Sequence, residues 1–583
     1  MARLNVADRA RIAGVFADGA KRSALANALA SPLLRWRYSA AATGEFLIIP
    51  QVLRCPDPSF FNELRLGEVG LAGQYACSAN RKNVFDIQPP SLQWQQELHG
   101  FSWLRHLEAV DEPEATELAR DIVFSWLQRS ATGIDSADPC EVTARRIMSW
   151  ISHAPLVLDG ATDHQHERYV AALGKQLAHV SATWRNAAPG ANRLTCLIAL
   201  CLGNLSLGGY DTQLPDAVRR LEEELVQQVI AVDGHIARNP ATMVLILLDL
   251  LPLTQCFKAR DIEAPDAVVR ACESLLRTLR HMQLGDTGLA RFHGMGPASP
   301  AELATVLAYD DLADPSRASL SPLQRNGYAR LVSGDSIVVM DVGKPPPFEH
   351  SGGANAGCLS FEWSYQTFPI LVNGGVPAGN NAIQVLAARS TASHNTLRLN
   401  DESSSELVKH ARLSSTLGAT PLRNPSNVTL HTEIFADDDH VFADPGEIEV
   451  IGLEASHDGY LERHALIHTR RIALHDQGLS LIGTDTLTGH RQTVRLSRDL
   501  PFAVHFHLHP SATARLIENG RRIEIRFANE KRARFQVTGA SLGIEPGQFY
   551  AATSGPKPTQ QIVLRGSTFG ETQIDWSIAV DKG

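Results

Sequence analysis

The spacing of apolar positions changes once along this 583-residue chain, and the change predicts two architectures joined end to end. From about residue 90 to about residue 290, apolar residues return every three to four positions, the period of helices. Leu221, Leu225 and Val229 stand at i, i+4 and i+8, with Glu222, Glu223 and Glu224 on the solvated side, so this segment predicts a helix with one buried face. Residues 192–207 and 243–253 are apolar nearly all round and predict helices enclosed on every side. Pro189-Gly190, Gly208-Gly209, Asp233-Gly234 and Asn239-Pro240 break the pattern between helices. Helical hairpins repeated without strands predict an α/α toroid or solenoid rather than a compact bundle.

From Tyr328 onward the period falls to two, with short strands at 336–340, 465–474 and 479–483. Residues 514–517 and 522–525 flank Asn519-Gly520, which predicts a type I′ hairpin. Strands at 359–363, 368–372 and 396–399 are expected to share one sheet, the first half-buried, and to bring Asn355, Asn373 and His394 together at one end of it. So many short strands predict a large antiparallel β-sandwich. The hydrophilic run 310–317 marks the change of period. The expectation is therefore an α/α toroid over 1–315, with an N-terminal extension over 1–90, followed by a sandwich over 316–583.

Composition narrows the setting. An apolar fraction of 44% and a charged fraction of 20% are those of an ordinary soluble globular protein. A net charge of −9 with no basic stretch argues against nucleic acid and anionic membrane surfaces. The apolar run 243–253 contains Asp249 and is too short to span a bilayer, so no membrane span is expected. The N-terminus mixes acids among its bases and lacks an unbroken apolar stretch, which reads as a cytoplasmic protein without a secretory signal. The eight cysteines form no CxxC pair, and Cys196 and Cys201 sit in an apolar helical run, as buried thiols of a reducing compartment would.

Several motifs occur in a telling order. Leu98-His99-Gly100-Phe101-Ser102-Trp103-Leu104 and Arg146-Ile147-Met148-Ser149-Trp150 lie in the helical half. Leu359-Ser360-Phe361-Glu362, Ser393-His394-Asn395-Thr396, Ser456-His457-Asp458-Gly459-Tyr460 and Phe506-His507-Leu508-His509-Pro510 follow in the strand half. This series resembles the heparinase II/III-like family of polysaccharide lyases. The resemblance implies a toroid followed by a sandwich, and β-elimination on a uronate-containing acidic polysaccharide or oligosaccharide. Such chemistry needs a group that neutralises the C6 carboxylate, a base for the C5 proton and an acid for the departing O4.

Aligned on Leu359-Ser360-Phe361-Glu362, the family's catalytic histidine falls on Gly353, and its metal-holding histidine and aspartate fall on Asn355 and Asn373. Only His394 is kept, and the family's catalytic tyrosine falls on Thr242. The resemblance implies a divalent metal, zinc or calcium, at Asn355, Asn373 and His394. Amide oxygens replace imidazole and carboxylate there, so no tightly bound zinc is expected.

The candidate catalytic residues are Asn192, His235, Arg238, His394 and Tyr460. Asn192 would neutralise a carboxylate or simply cap a helix. His235 and Arg238 share the loop 233–240 and would move a proton and hold an anion, or be solvated loop residues. His394 would be a metal ligand, a cleft imidazole or a hydrogen-bonded sandwich histidine. Tyr460 supplies a phenol if its strand edge faces the toroid. Candidate sugar-binding residues are His99, Trp103, Arg146, Trp150, Arg193 and His350, the last three positions before Gly353; both tryptophans are equally suited to a core. His505, His507 and His509 share one strand face, read as solvent-facing, and Asp437 to Asp439 read as a solvated loop. A homodimer is left open, and the family carries a periplasmic alternative for location. The competing readings are a catalytically inactive glycan-binding or envelope-assembly protein, and a hydrolase acting through Asp233.

Overall fold

The computed structural model describes residues 45–77, 83–129, 138–310, 324–378, 381–408, 421–435, 450–489, 499–527, 530–568 and 571–581, with a few positions between 9 and 21. The acidic run 437–439 and most of the run 310–317, with the domain boundary at 315, lie outside the described residues. Helices fill the first part and antiparallel sheets the second, as the change of period predicts.

The helices used below are α1 (Leu92–Gly100), α2 (Cys140–Ser152), α3 (Asp163–Thr183), α4 (Ala191–Ser206), α5 (Leu214–Gln228), α6 (Pro240–Ala259), α7 (Asp266–His281) and α8 (Pro300–Leu307). The all-round apolar segments become α4 and α6, both largely buried, although α6 leaves Leu245 exposed on one face. The amphipathic α5 buries Leu214, Ala217, Leu221 and Leu225, one stripe at helical spacing. Its expected third partner, Val229, is also buried but caps the helix rather than continuing it. By length and composition alone α6 could cross a membrane, yet 72% of its apolar window is buried in the protein. Asp249 is tolerated in α6 because Arg145 from α2 and Arg54 both pair with it. Asn239 caps α6 by accepting from the amides of Ala241 and Thr242.

The sandwich packs an eight-stranded antiparallel sheet against two smaller ones of five and four strands. The smaller sheets are continuous through a bridge between Leu371 and Leu508. Their shared core is aromatic. Trp576 of the large sheet stacks on Phe361 of the five-stranded sheet at 5.7 Å and meets Phe506 of the four-stranded sheet edge-on at 4.9 Å. Gly483 makes room for it, since a Cβ there would lie 2.1 Å from the indole. Behind the indole, Asp485 is held by His468, by both sides of the Arg470 guanidinium and by the Trp576 N–H.

Two expectations about the strands are corrected. The strand at Phe361–Tyr365 is buried on both faces, because it lies inside its sheet and the Glu362 carboxylate is satisfied by Arg291 and by the Asn373 amide. The third strand, Leu397–Leu399, pairs with Phe502 to Val504 in the four-stranded sheet rather than with the other two, while Asn395 just before it bonds to Asn373 and Phe361. At 513–527 the hairpin pairs in the expected register, but its loop is longer than two residues, with Glu518, Asn519 and Gly520 all at positive φ.

The two halves meet through Arg238. Its guanidinium donates to the carbonyls of Asn326 (2.9 Å), Lys344 (3.0 Å) and Gly327 (2.7 Å) and to Asp341 Oδ1 (2.6 Å). It also lies 4.5 Å from the centre of the Tyr328 ring, whose hydroxyl donates back to the Arg238 carbonyl. Arg238→Gln would leave Asp341 buried without its cation, and is expected to lower the free energy of unfolding by about 3–5 kcal/mol, read by denaturant titration. A loss under about 1 kcal/mol would show that the seam does not depend on this pair.

Candidate functional site

The site is a seam between the N-terminal ends of the inner helices and the sandwich turn Phe348–Gly353. α2 and α4 run side by side in the same direction, with Cys140 Sγ 3.7 Å from Cys196 Sγ near their starts. Just before α2, Asp138 takes His99 Nδ1 at 2.9 Å on one oxygen and Arg146 Nη1 at 2.8 Å on the other. On the first turn of α2, Glu141 accepts from the Asn192 amide at 3.0 Å. Next to it Arg193 reaches Glu224 at 3.7 Å. Gly190 adopts φ 103°, and a Cβ there would stand 3.4 Å from His350 Nδ1, so its bareness lets the sandwich turn approach α4. His350 in turn acts electrostatically on His235. His99, Asn192, Arg193, His235 and His350 therefore follow one another along one seam.

Asn192 is exposed and does not cap its helix; that position is Gly190. His235 is buried, its Nδ1 accepts from the Ala237 amide, and its Nε2 has no partner. Burial, and then His350, lower its pKa to about 3. Burial also lowers His350, whose Nδ1 is likewise without a partner. His350, with a spare nitrogen, thus stands near Arg193, and His235, with another, near His350, groups able to hydrogen-bond a polar ligand.

The other candidates are placed elsewhere, for clear physical reasons. Trp103 is core: its N–H donates to the Leu98 carbonyl and its ring stacks on Phe101. Trp150 is core as well, stacked on Tyr169 at 5.0 Å. Arg146 is fully buried, bound by Gln176, the His99 carbonyl and Asp138 over the face of Trp126. Arg238 is committed to the domain seam and cannot hold a substrate anion there. Tyr460 is buried and donates to the Leu397 carbonyl at 2.8 Å, and burial raises its phenol well above the ordinary range. His505 and His507 are buried rather than solvent-facing, bound to Gln561 and to the Ala392 carbonyl.

His394 faces inward. Its Nδ1 lies 2.7 Å from the Ser390 carbonyl and so carries the proton, while Nε2 accepts from the Asn355 amide at 2.9 Å. Burial lowers its pKa to about 4. Asn373 does not join them, because its amide donates to the Arg291 carbonyl and its oxygen accepts from the Asn395 amide. Asn355 Oδ1 is buried and unpartnered, but no three His, Cys, Asp or Glu side chains converge as a metal set among the described residues. The donor set at 355, 373 and 394 does not fit zinc or calcium.

One histidine escaped the sequence reading. His293 is buried at positive φ, its Nε2 3.2 Å from Asp341 Oδ2 and its Nδ1 unpartnered. The next residue, Gly294, packs so close to Gly353 that a Cβ would lie 2.6 Å from the Gly353 carbonyl oxygen. The signal available was a lone histidine in the glycine-flanked run Phe292-His293-Gly294-Met295-Gly296 after the last long toroid helix.

A helical toroid set against an antiparallel sandwich, with a polar seam between them, is the fold class of polysaccharide lyases of the heparinase type. Residues 315–577 match the family model described as heparinase II/III-like, C-terminal. The chain superposes on a mutant of heparan sulfate lyase HepC from Pedobacter heparinus with a TM-score of 0.62 at 15% identity, covering 100% of this chain and 92% of that one. It superposes on heparinase III with a TM-score of 0.63 at 11% identity, covering 86% and 80%. At these identities the likeness is one of fold. In sequence the chain is 29% identical over 545 residues to FtsZ-localized protein C of Caulobacter vibrioides (strain NA1000 / CB15N), covering 92% of this chain and 90% of that protein.

The buried imidazoles set a pH dependence. His106, His179, His281, His394 and His509 are lowered to about 4, and His235 and His507 to about 3, in every case first by burial. Unfolded, each titrates near 6.5, so the stability they contribute is complete above about 6.5 and is lost as pH falls toward 4. Glu362, raised by burial to about 7, acts in the opposite sense: its contribution is complete below its unfolded value and lost as pH rises through 7. Seven imidazoles outweigh one carboxyl, so the thermal midpoint is expected to fall steadily from pH 6.5 to pH 4. His394→Gln should reduce the proton uptake on unfolding in that window by about one; an unchanged slope would count against a neutral buried His394.

Proposed function

We propose that this chain is a glycan-binding, envelope-assembly protein on the heparinase fold, which holds an acidic saccharide in the seam without cleaving it. The observation that carries this reading is His394, the one histidine kept from the family pattern, which is buried with both nitrogens engaged. Thr242 at the tyrosine position offers no phenol, and Tyr460 is committed to a backbone carbonyl. Arg193, Asn192, His99, His235 and His350 remain as hydrogen-bonding and charged groups for carboxylate and hydroxyls. The likeness over most of its length to a protein named for its localisation with FtsZ supports an assembly role, with FtsZ as the partner to test.

A second reading, retained β-elimination, is favoured by one observation: His235 Nε2 and His350 Nδ1 are both neutral and unpartnered on the same seam. A panel of uronate polymers separates the two. The proposal expects saturable binding with no new ultraviolet absorbance from unsaturated uronate and no new reducing ends. Arg193→Ala should weaken that binding about tenfold, the worth of one hydrogen bond to a charged group. Appearance of the unsaturated product, lost in His235→Ala, would establish elimination instead. Capture of purified FtsZ by the intact chain tests the assembly role, and no capture at micromolar concentrations would remove it.

A further inference from the structure

The opposite mouth of the toroid holds an arrangement that the seam does not use. The segment from Glu45 to Asp57 crosses the far ends of the inner helices. The Leu47 amide donates to the Ser206 carbonyl at 2.8 Å, the Gly208 amide to the Glu45 carbonyl at 3.0 Å, and Arg105 Nε to the Cys55 carbonyl at 3.1 Å. Between this segment and α2, α4 and α6 lies a cavity of about 40 Å³, lined among others by Gln51, Arg54, Arg105, Arg145, Ser152 and Asp249.

Three guanidiniums face this space, and one carboxylate touches two of them. Arg145 holds both oxygens of Asp249, at 2.8 and 2.9 Å, and Arg54 shares Oδ1 at 2.5 Å. Arg105 donates to the backbone carbonyls of Cys55 and Ser102 and contacts no carboxylate among the described residues. Glu302 and Glu97 act on these arginines only from a distance, and His153 on the cavity wall is paired with Glu108. Burial first, and then the like charge of Arg54, lower both Arg105 and Arg145. Nε and Nη2 of Arg54, Nε of Arg145 and Nη2 of Arg105 have no hydrogen-bond partner among the described residues. The side chains of Arg54 and Arg145 are only 15% and 24% exposed, so water screens this excess weakly.

We propose that this cavity is a binding site for a small oxyanion, the chemistry shared by a phosphate and a carboxylate group. The space holds about three water-sized groups, which matches the oxygens such an anion would bury. Unused guanidinium donors on three sides provide the charge-assisted hydrogen bonds that oxyanions take. The site lies at the other end of α2, α4 and α6 from Asn192, His235 and His350, and does not depend on the proposed glycan binding.

Calorimetric titration and thermal unfolding of the full chain with inorganic phosphate, and separately with acetate, against sodium chloride at equal ionic strength, test it. One saturable equivalent per chain and a midpoint raised by about 3 °C near saturation are expected. A response to phosphate alone assigns phosphate chemistry, and one to acetate alone assigns a carboxylate. Gln51→Glu places a carboxylate at the exposed lip, where folding is not at risk. It should raise the midpoint without added anion and abolish the response to added anion. Arg105→Gln should weaken binding about tenfold; if that variant does not fold, Gln51→Glu decides. No saturable response to either anion, or a response unchanged in Gln51→Glu, overturns the proposal.

Discussion

The molecule depends on one guanidinium being spent on its own backbone. Arg238 gives its donors to three carbonyls and a carboxylate of the sandwich, and its left-handed backbone, φ 54°, is held in place by those bonds. A lysine could not do this, because only the planar fork meets four acceptors in fixed directions. Gly327 and Gly343 complete the socket: a Cβ on either would lie within 3 Å of the guanidinium. Held this way, the loop 233–239 stands close to the turn that carries His350. The seam is therefore a consequence of the staple.

The same staple limits the chemistry. An arginine buried in a structural ion pair is not available to neutralise a substrate carboxylate, and its neighbours on the seam are imidazoles that burial holds neutral. Neutral imidazoles accept and donate single hydrogen bonds well. An imidazole whose pKa has fallen to about 3 is, however, a weak base toward a carbon acid, and base strength is what the first step of elimination requires. Arg193, half-buried beside Glu224, keeps charge on the seam without concentrating it.

The fold was largely legible because periodicity reports burial, and burial is what the helices and strands share. Leu221 and Leu225 are buried together because their spacing puts them on one face, and residues 196–206 are enclosed because they are apolar nearly all round. The site was less legible because its side chains are decided by partners far along the chain. Arg238 and Asp341 are 103 residues apart, and nothing local to either says that they meet. Glu362 read as the polar side of a half-buried strand, since the sequence hides the Arg291 that allows it to be buried. Trp103 and Trp150 carried an even choice between cleft and core, and stacking on Phe101 and Tyr169 decided it. His394 kept its motif but turned inward, because Asn355 offers it an amide where the family pattern has a second ligand.

These substitutions are mutually consistent. Replacing a metal ligand by Asn355 leaves an imidazole nitrogen that would be buried without a partner, and the asparagine amide satisfies that nitrogen itself. Replacing the ligand aspartate by Asn373 gives an amide that both donates to Arg291 and accepts from Asn395, so it bridges the toroid-side loop to the sandwich. A carboxylate there would face the Arg291 carbonyl without a proton to offer. The first change adds a bond within the sandwich, and the second adds one that holds the two halves together. Asn355, Asn373 and His394 thus serve as structural residues, and the polar side chains of His99, Asn192, Arg193 and His350 remain along the seam.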